Sequence, residues 1–207
     1  PVVRFQPQTE VGTFGSQTVR QSEAAYPLIR TFEMAGGAHV DQATNESGGR
    51  ALARDLGLAS FGAGCDLAIN PIRIGFVQSA LLALTDRWVG GGAPPPRSRL
   101  LALVTDPAGA SVIEVDPAGN AVGGLRPPRL EVPLGTYLPT NSGPGFCFLM
   151  GGFVAFGEPE LKRRYPTHRD YVEQMAQQID RAVSEEFLLE ADAMHLHAQT
   201  EQSTLGR

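Results

Sequence analysis

Apolar and polar positions along the chain fall into three textures. The first is strand-like. Val2 to Phe5 forms a short apolar run that breaks at the polar QPQTE, and a second run extends from Leu28 to Met34. Both have the length of a short buried strand. Between Asp41 and Ala63 the periodicity is lost. Gly48-Gly49 interrupts that stretch, and only a short helical patch around Ala51 to Leu56 stands out. Ile74, Val77, Leu81, Leu84 and Trp88 then recur at spacings of three and four, which places them on one helical face. Asn70 suits the N-cap of this helix and Pro71 its first position. The triplet Gly90-Gly91-Gly92 ends it. Trp88 on that stripe reads as a packing anchor.

After APPP the second texture begins. LLALVT, ASVIEV and AVGGL are short extended pieces separated by DPAG at Asp106 and again at Asp116. Aspartate before proline, with glycine fourth, favours a type I turn. RLEVPLGTYLP adds an extended piece, Asn141 to Gly145 a loop, and GFCFLMGGFVAF an apolar, glycine-punctuated segment. The third texture is helical. Thr167 with Asp170 three residues on forms a capping-box variant, and Val172, Met175, Ile179 and Val183 line one face. EEFLLEADAMHLHA opens a further helix. His195 and His197 lie two apart on it, so they diverge and make a poor metal pair. The expected organisation is one α/β domain: core strands and helix over about 1–92, a β-meander and linker over about 93–157, and a helical segment over about 158–207.

Composition narrows the function classes. The 207 residues are 42% hydrophobic and 19% charged with net charge −5, and no basic patch suited to nucleic acid stands out. No run approaches the roughly 18 apolar residues of a membrane span. Cys65 and Cys147 lack CxxC spacing and do not suggest zinc. Two readings stay open for them: a pair of buried thiols, or one disulfide closing a long loop in an exported protein. The chain opens with PVVRF, already inside a strand-like run, so upstream sequence is expected to be missing and the compartment is not legible.

The candidate chemistry sits at the ends of the first two strands. Glu10 follows the first and is succeeded by VGTFG; His39 follows the second, within MAGGAHVD. Adjacent glycines permit a tight turn and close backbone approach, and a histidine there is titratable near neutral pH. A carboxylate that orients an imidazole is the usual support for a general base. In the α/β-hydrolase arrangement the chain order is nucleophile, acid, histidine, each at one edge of a sheet. Glu10 and His39 suit the second and third places. The elbow G-x-S-x-G is absent. Ser111 has glycine two before it, but Ile113 replaces the second glycine and the order is wrong; Ser16 and Ser22 lack the elbow glycines two residues to either side, and both cysteines come too late. No nucleophile is therefore expected in this chain. Asp41, two residues beyond His39, reads as a solvated neighbour.

These blocks together carry a resemblance. RTFEMAGGAHVD is similar to an R-x-W-E-V-A-G-T-A-H-x-D segment, and PVVRFQPQTEV to a strand and acid loop written PVLxxQTETDV. ALLALTDRWVGGGAPPP, DPAGNAVGGLRPPRLEVPLGTY, PGFCFLMGG and YPTHRDYV continue the match in order. The chain resembles the C-terminal part of a bacterial family of alpha/beta hydrolase domain-containing proteins, along nearly its whole length. It departs from the family at Gln8, where many relatives have glutamate, and at Glu10, where aspartate is common. The resemblance implies the C-terminal portion of an α/β-hydrolase fold and a carboxylesterase-like serine hydrolase. It also implies Glu10 as the acid, His39 as the base, and an upstream serine and oxyanion hole. Such chemistry needs no metal or organic cofactor, and its partner is a small-molecule ester. The reading set against it is a non-catalytic binding or assembly module on the same scaffold. Two structural expectations follow: Glu10 and His39 within hydrogen-bond reach at one sheet edge, and an apolar sheet edge left open.

Overall fold

The computed structural model describes residues 1–57 and 64–206. Strands β1 (Val2–Pro7) and β2 (Ile29–Met34) pair in parallel, with Val2 opposite Ile29 and Pro7 opposite Met34. Both strands therefore finish at the same edge. Between them run the short helix α1 (Gln8–Gly12) and a 3-10 turn at Ser16–Val19. Glu10 thus lies in a helical turn rather than in the loop read from sequence.

The other side of β2 is also occupied. Glu33 N–H donates to Arg99 O at 2.9 Å, and Ala35 N–H donates to Leu125 O at 2.9 Å. The meander docks here, with hairpin strands β4 (Leu103–Thr105) and β5 (Ser111–Ile113). Both DPAG segments close turns: Gly109 N–H reaches Asp106 O at 2.9 Å and Gly119 N–H reaches Asp116 O at 2.8 Å. β1, by contrast, has no strand on its other side among the described residues, and Val2 is 52% exposed.

A second sheet orders β3 (Ala68–Ile69), β7 (Gly152–Ala155) and β6 (Gly135–Leu138), all antiparallel. Helix α3 (Ile74–Val89) lies against β1 and buries Ile74, Val77, Leu81 and Leu84 in the same core as Phe32 and Met34 of β2. Full burial of Phe32 and Met34 contributes about 1.5–3 kcal/mol each. Trp88 ends the stripe half-buried, beneath the Arg30 guanidinium at 5.3 Å.

Helix α3 starts three residues later than the Asn70-Pro71 signal predicts. Asn70 is turned inward instead. Its amide donates to Gly36 O at 2.8 Å and Leu138 O at 3.1 Å, and its Oδ1 accepts Ile72 N–H at 2.9 Å. A larger difference precedes it. The stretch expected to be irregular holds a full helix, α2 (Gln42–Leu56), stopped by Gly57 at φ 66°. Its buried face is Asn45 and Gly49, polar or small, so no apolar stripe marks it. The rest of that stretch, 58–63, lies outside the described residues.

The C-terminal helices build a second core. α4 (Pro128–Glu131), α6 (Glu158–Arg164), α7 (His168–Ser184) and α8 (Glu190–Glu201) follow the meander, with α5 (Cys147–Met150) between β6 and β7. Thr167 and Asp170 form the expected capping box. Tyr171, Met175 and Ile179 pack with Tyr165, Leu188 and Leu196. Burial pushes the Tyr137 hydroxyl, in the first core, up to about 12. Cys65 and Cys147 form a disulfide, which settles the alternative left open by their spacing.

Glu33 is the next-to-last residue of β2 and is fully buried. Its carboxylate accepts from Arg20 Nε at 2.8 Å and Nη2 at 2.5 Å, and from Leu101 N–H at 2.8 Å. One side chain thereby joins the β1–β2 connection, β2 and the meander. Removing one partner of a buried pair leaves the other charge uncompensated, so Glu33→Gln is expected to lower the unfolding free energy by about 3 kcal/mol. Urea denaturation followed by circular dichroism measures it; a loss below about 1 kcal/mol would show that the pair is not a structural anchor.

Candidate active site

The parallel register brings the residues after β1 beside those after β2. Gly36 turns the chain at φ +70°, a conformation that glycine adopts without penalty. Gly37 passes close to the end of β1: a Cβ there would meet Pro7 Cβ at 3.2 Å. The two glycines therefore do different work, one in the turn and one in the approach.

Backbone and side chain then lock the two segments together. Gln8, buried, accepts Gly36 N–H on its Oε1 at 2.7 Å. Thr9 Oγ1 accepts His39 N–H at 3.1 Å and donates to Pro139 O at 2.6 Å. Val40 N–H donates to Leu149 O at 2.9 Å. The imidazole is fixed in the same way: Glu10 Oε1 is hydrogen-bonded to His39 Nδ1. An ionised carboxylate only accepts, so in the neutral imidazole this contact places the proton on Nδ1 and leaves the lone pair on Nε2. Glu10 Oε2 is buried without a hydrogen-bond partner among the described residues, so the imidazole is the carboxylate's partner in the site. The His39 side chain is 44% exposed and that of Glu10 23%. The carboxylate is the more sheltered of the two and the imidazole faces outward.

One apolar ring flanks the imidazole, and two more lie on the neighbouring segment. Phe14 meets the imidazole edge-on at 5.9 Å. Phe146 and Phe148, 50% and 43% exposed, precede Leu149, whose carbonyl holds Val40. Cys147 between them is tied to Cys65, so this rim is covalently anchored.

Asp41 corrects the sequence reading most sharply. It is 2% exposed rather than solvated. Its Oδ1 accepts Thr44 N–H at 2.7 Å, capping α2, and its Oδ2 accepts Ile74 N–H at 3.1 Å, capping α3. Anions at helix N-termini are favoured by the free N–H groups there. Only the placement of aspartate directly before a helix could have signalled this, and that helix lacked an apolar stripe.

The other candidates lie elsewhere. Ser111 is in β5, and both cysteines are consumed by the disulfide. Among the described residues, no serine or cysteine side chain is hydrogen-bonded to His39. His195 contacts Arg73 and Gln199, while His197 pairs with Asp180 at 3.3 Å. No group of three or more histidine, cysteine or acidic side chains that could hold a metal ion occurs among the described residues. No helix among them is long and apolar enough to cross a membrane.

Comparison with known families decides the class. The alpha/beta hydrolase domain family matches residues 1–198. The chain belongs to the alpha/beta hydrolase domain family. No curated protein and no solved structure matches it. This alpha/beta hydrolase domain keeps its histidine loop in place through Asp41 as much as through the acid segment. Asp41→Ala is expected to cost about 2–4 kcal/mol, from a lost cap and a second buried N–H left unpaired. Amide exchange of the first turns of α2 and α3 should accelerate together; exchange confined to α2 would contradict the double cap.

Proposed function

We propose that this chain supplies the acid and the general base of a serine-type ester hydrolase of the carboxylesterase kind. The observation that carries the reading is the Glu10–His39 hydrogen bond at a single sheet edge. With Nδ1–H held by Glu10, Nε2 is free to take the proton of an attacking hydroxyl and return it to the leaving alcohol. Glu10 stabilises the imidazolium that forms in between. The rim of Phe14, Phe146 and Phe148 supports an apolar acyl or alcohol group on the ester.

The nucleophile and oxyanion hole come, in this reading, from polypeptide outside residues 1–207. Three observations support it. The sequence holds no G-x-S-x-G, its cysteines are bonded to each other, and among the described residues one edge of β1 is unpaired. An open strand edge offers a row of unpaired N–H and C=O groups, so a further strand on β1 suits the fold. The chain is then the C-terminal portion of one domain, with core elements over about 1–92, the meander over about 93–157 and the helical segment after 158.

The isolated chain is expected to show neither acyl-enzyme burst nor labelling by a fluorophosphonate. The polypeptide extended upstream through a G-x-S-x-G is expected to hydrolyse p-nitrophenyl esters of short acids. In that protein His39→Ala should lower kcat/KM by about 10⁵-fold and Glu10→Gln by about 10³-fold, since the acid orients and stabilises while the base transfers the proton. Full esterase activity after His39→Ala would reduce Glu10 and His39 to a structural contact and favour a binding module.

A further inference from the structure

A cavity of about 210 Å³ opens between α3, α4, α7 and α8, and neither Glu10 nor His39 lines it. Its floor is apolar: Ile72, Phe76, Leu125, Leu188 and Leu196. Its walls carry five arginines and two glutamates. The charges are not all matched. Arg99 and Arg181 both pair with Glu185, each at 2.9 Å, and Arg126 pairs with Glu131 at 3.3 Å and Asp116 at 3.7 Å. Arg73 and Arg129 form no ion pair with a carboxylate among the described residues.

These two guanidiniums are brought to one wall by α8. Arg129 Nη2 donates to Gln199 Oε1 at 3.1 Å, and Gln199 Nε2 lies 2.9 Å from His195 Nε2. Arg73 Nη1 lies 3.4 Å from the same His195 Nε2. Both neighbours of that nitrogen carry N–H donors, so the contacts suit the tautomer in which Nε2 accepts. The chain Arg129–Gln199–His195–Arg73 therefore satisfies single donors of each arginine and neutralises neither. Arg73 also lies over the Phe76 ring at 5.1 Å, which holds its plane against the floor.

The geometry points to a binding site for a small organic carboxylate, separate from the Glu10–His39 pair. The apolar body fills the floor, and the carboxylate bridges Arg73 and Arg129, whose remaining N–H groups match its two oxygens. Size sets the class. An apolar cavity of about 150 Å³ accommodates benzene, so about 210 Å³ takes one ring with a short acidic arm. A neutral ligand of equal shape would form no ion pair with either guanidinium. The inference is independent of the hydrolase reading, because none of these residues touches His39.

Calorimetric titration of the folded chain with phenylacetate, against phenylacetamide as the uncharged isostere, tests it. Phenylacetate is expected to bind with a millimolar or lower Kd, about tenfold tighter than the amide at low salt, and less tightly as salt rises. Arg73→Gln with Arg129→Gln should weaken phenylacetate about tenfold and leave the amide unchanged. Ala182→Phe, which fills the cavity from α7, should weaken both ligands. Circular dichroism verifies that each variant is folded; if the double variant is not, Ala182→Phe and the salt series decide. Equal binding of acid and amide, unchanged affinity in the folded double variant, or no binding of phenylacetate at 10 mM (about tenfold above a millimolar Kd) would overturn the assignment.

Discussion

Parallel pairing of β1 and β2 in a single register is the constraint on which the candidate site rests. Pro7 lies opposite Met34, so the chain leaves both strands at one edge and in one direction. A shift by one residue would reverse the faces of a whole strand and carry the acid segment away from the histidine loop. That register is secured from both sides. β2 is held by β1 on one edge and by residues 99 and 125 on the other, and the Glu33 carboxylate spans the junction.

A second constraint acts just past the histidine. Asp41 ends the loop by serving two helices at once, so the loop has fixed anchors on either flank of His39. Gln8 and Thr9 supply the others from the acid segment, and Asn70 ties Gly36 to β6. The imidazole is thus exposed while the backbone that carries it is not free to wander. Such a division suits a group that must meet a partner from outside at a set position.

Much of this was legible from pattern alone, and the failures share a cause. The strands, the α3 stripe, the paired DPAG turns and the Thr167 box are marked by apolar periodicity or by local turn and cap chemistry. Helix α2 escaped because its inner face is Asn45 and Gly49, which periodicity does not register. Asn70 looked like a cap because its local signal was sound, and its Oδ1 does accept the Ile72 N–H; its amide nitrogen is held by two carbonyls from distant segments, which a local pattern does not register. Asp41 and the Glu33–Arg20 pair were invisible for the same reason. A polar residue reveals whether it is buried only when its partners, distant in sequence, are known. The glycines of the histidine loop were readable because backbone conformation is a local property.

The Cys65–Cys147 bond has a further consequence. It spans 82 residues, and those residues include both DPAG turns, where several positions are exposed. Exposed loop tips are where proteases cut. A chain severed at either turn would stay one covalent molecule, with the phenylalanine rim still fastened beside the histidine. Under oxidising conditions such a break would add only one water to the mass, and the molecule would separate into two pieces only on reduction.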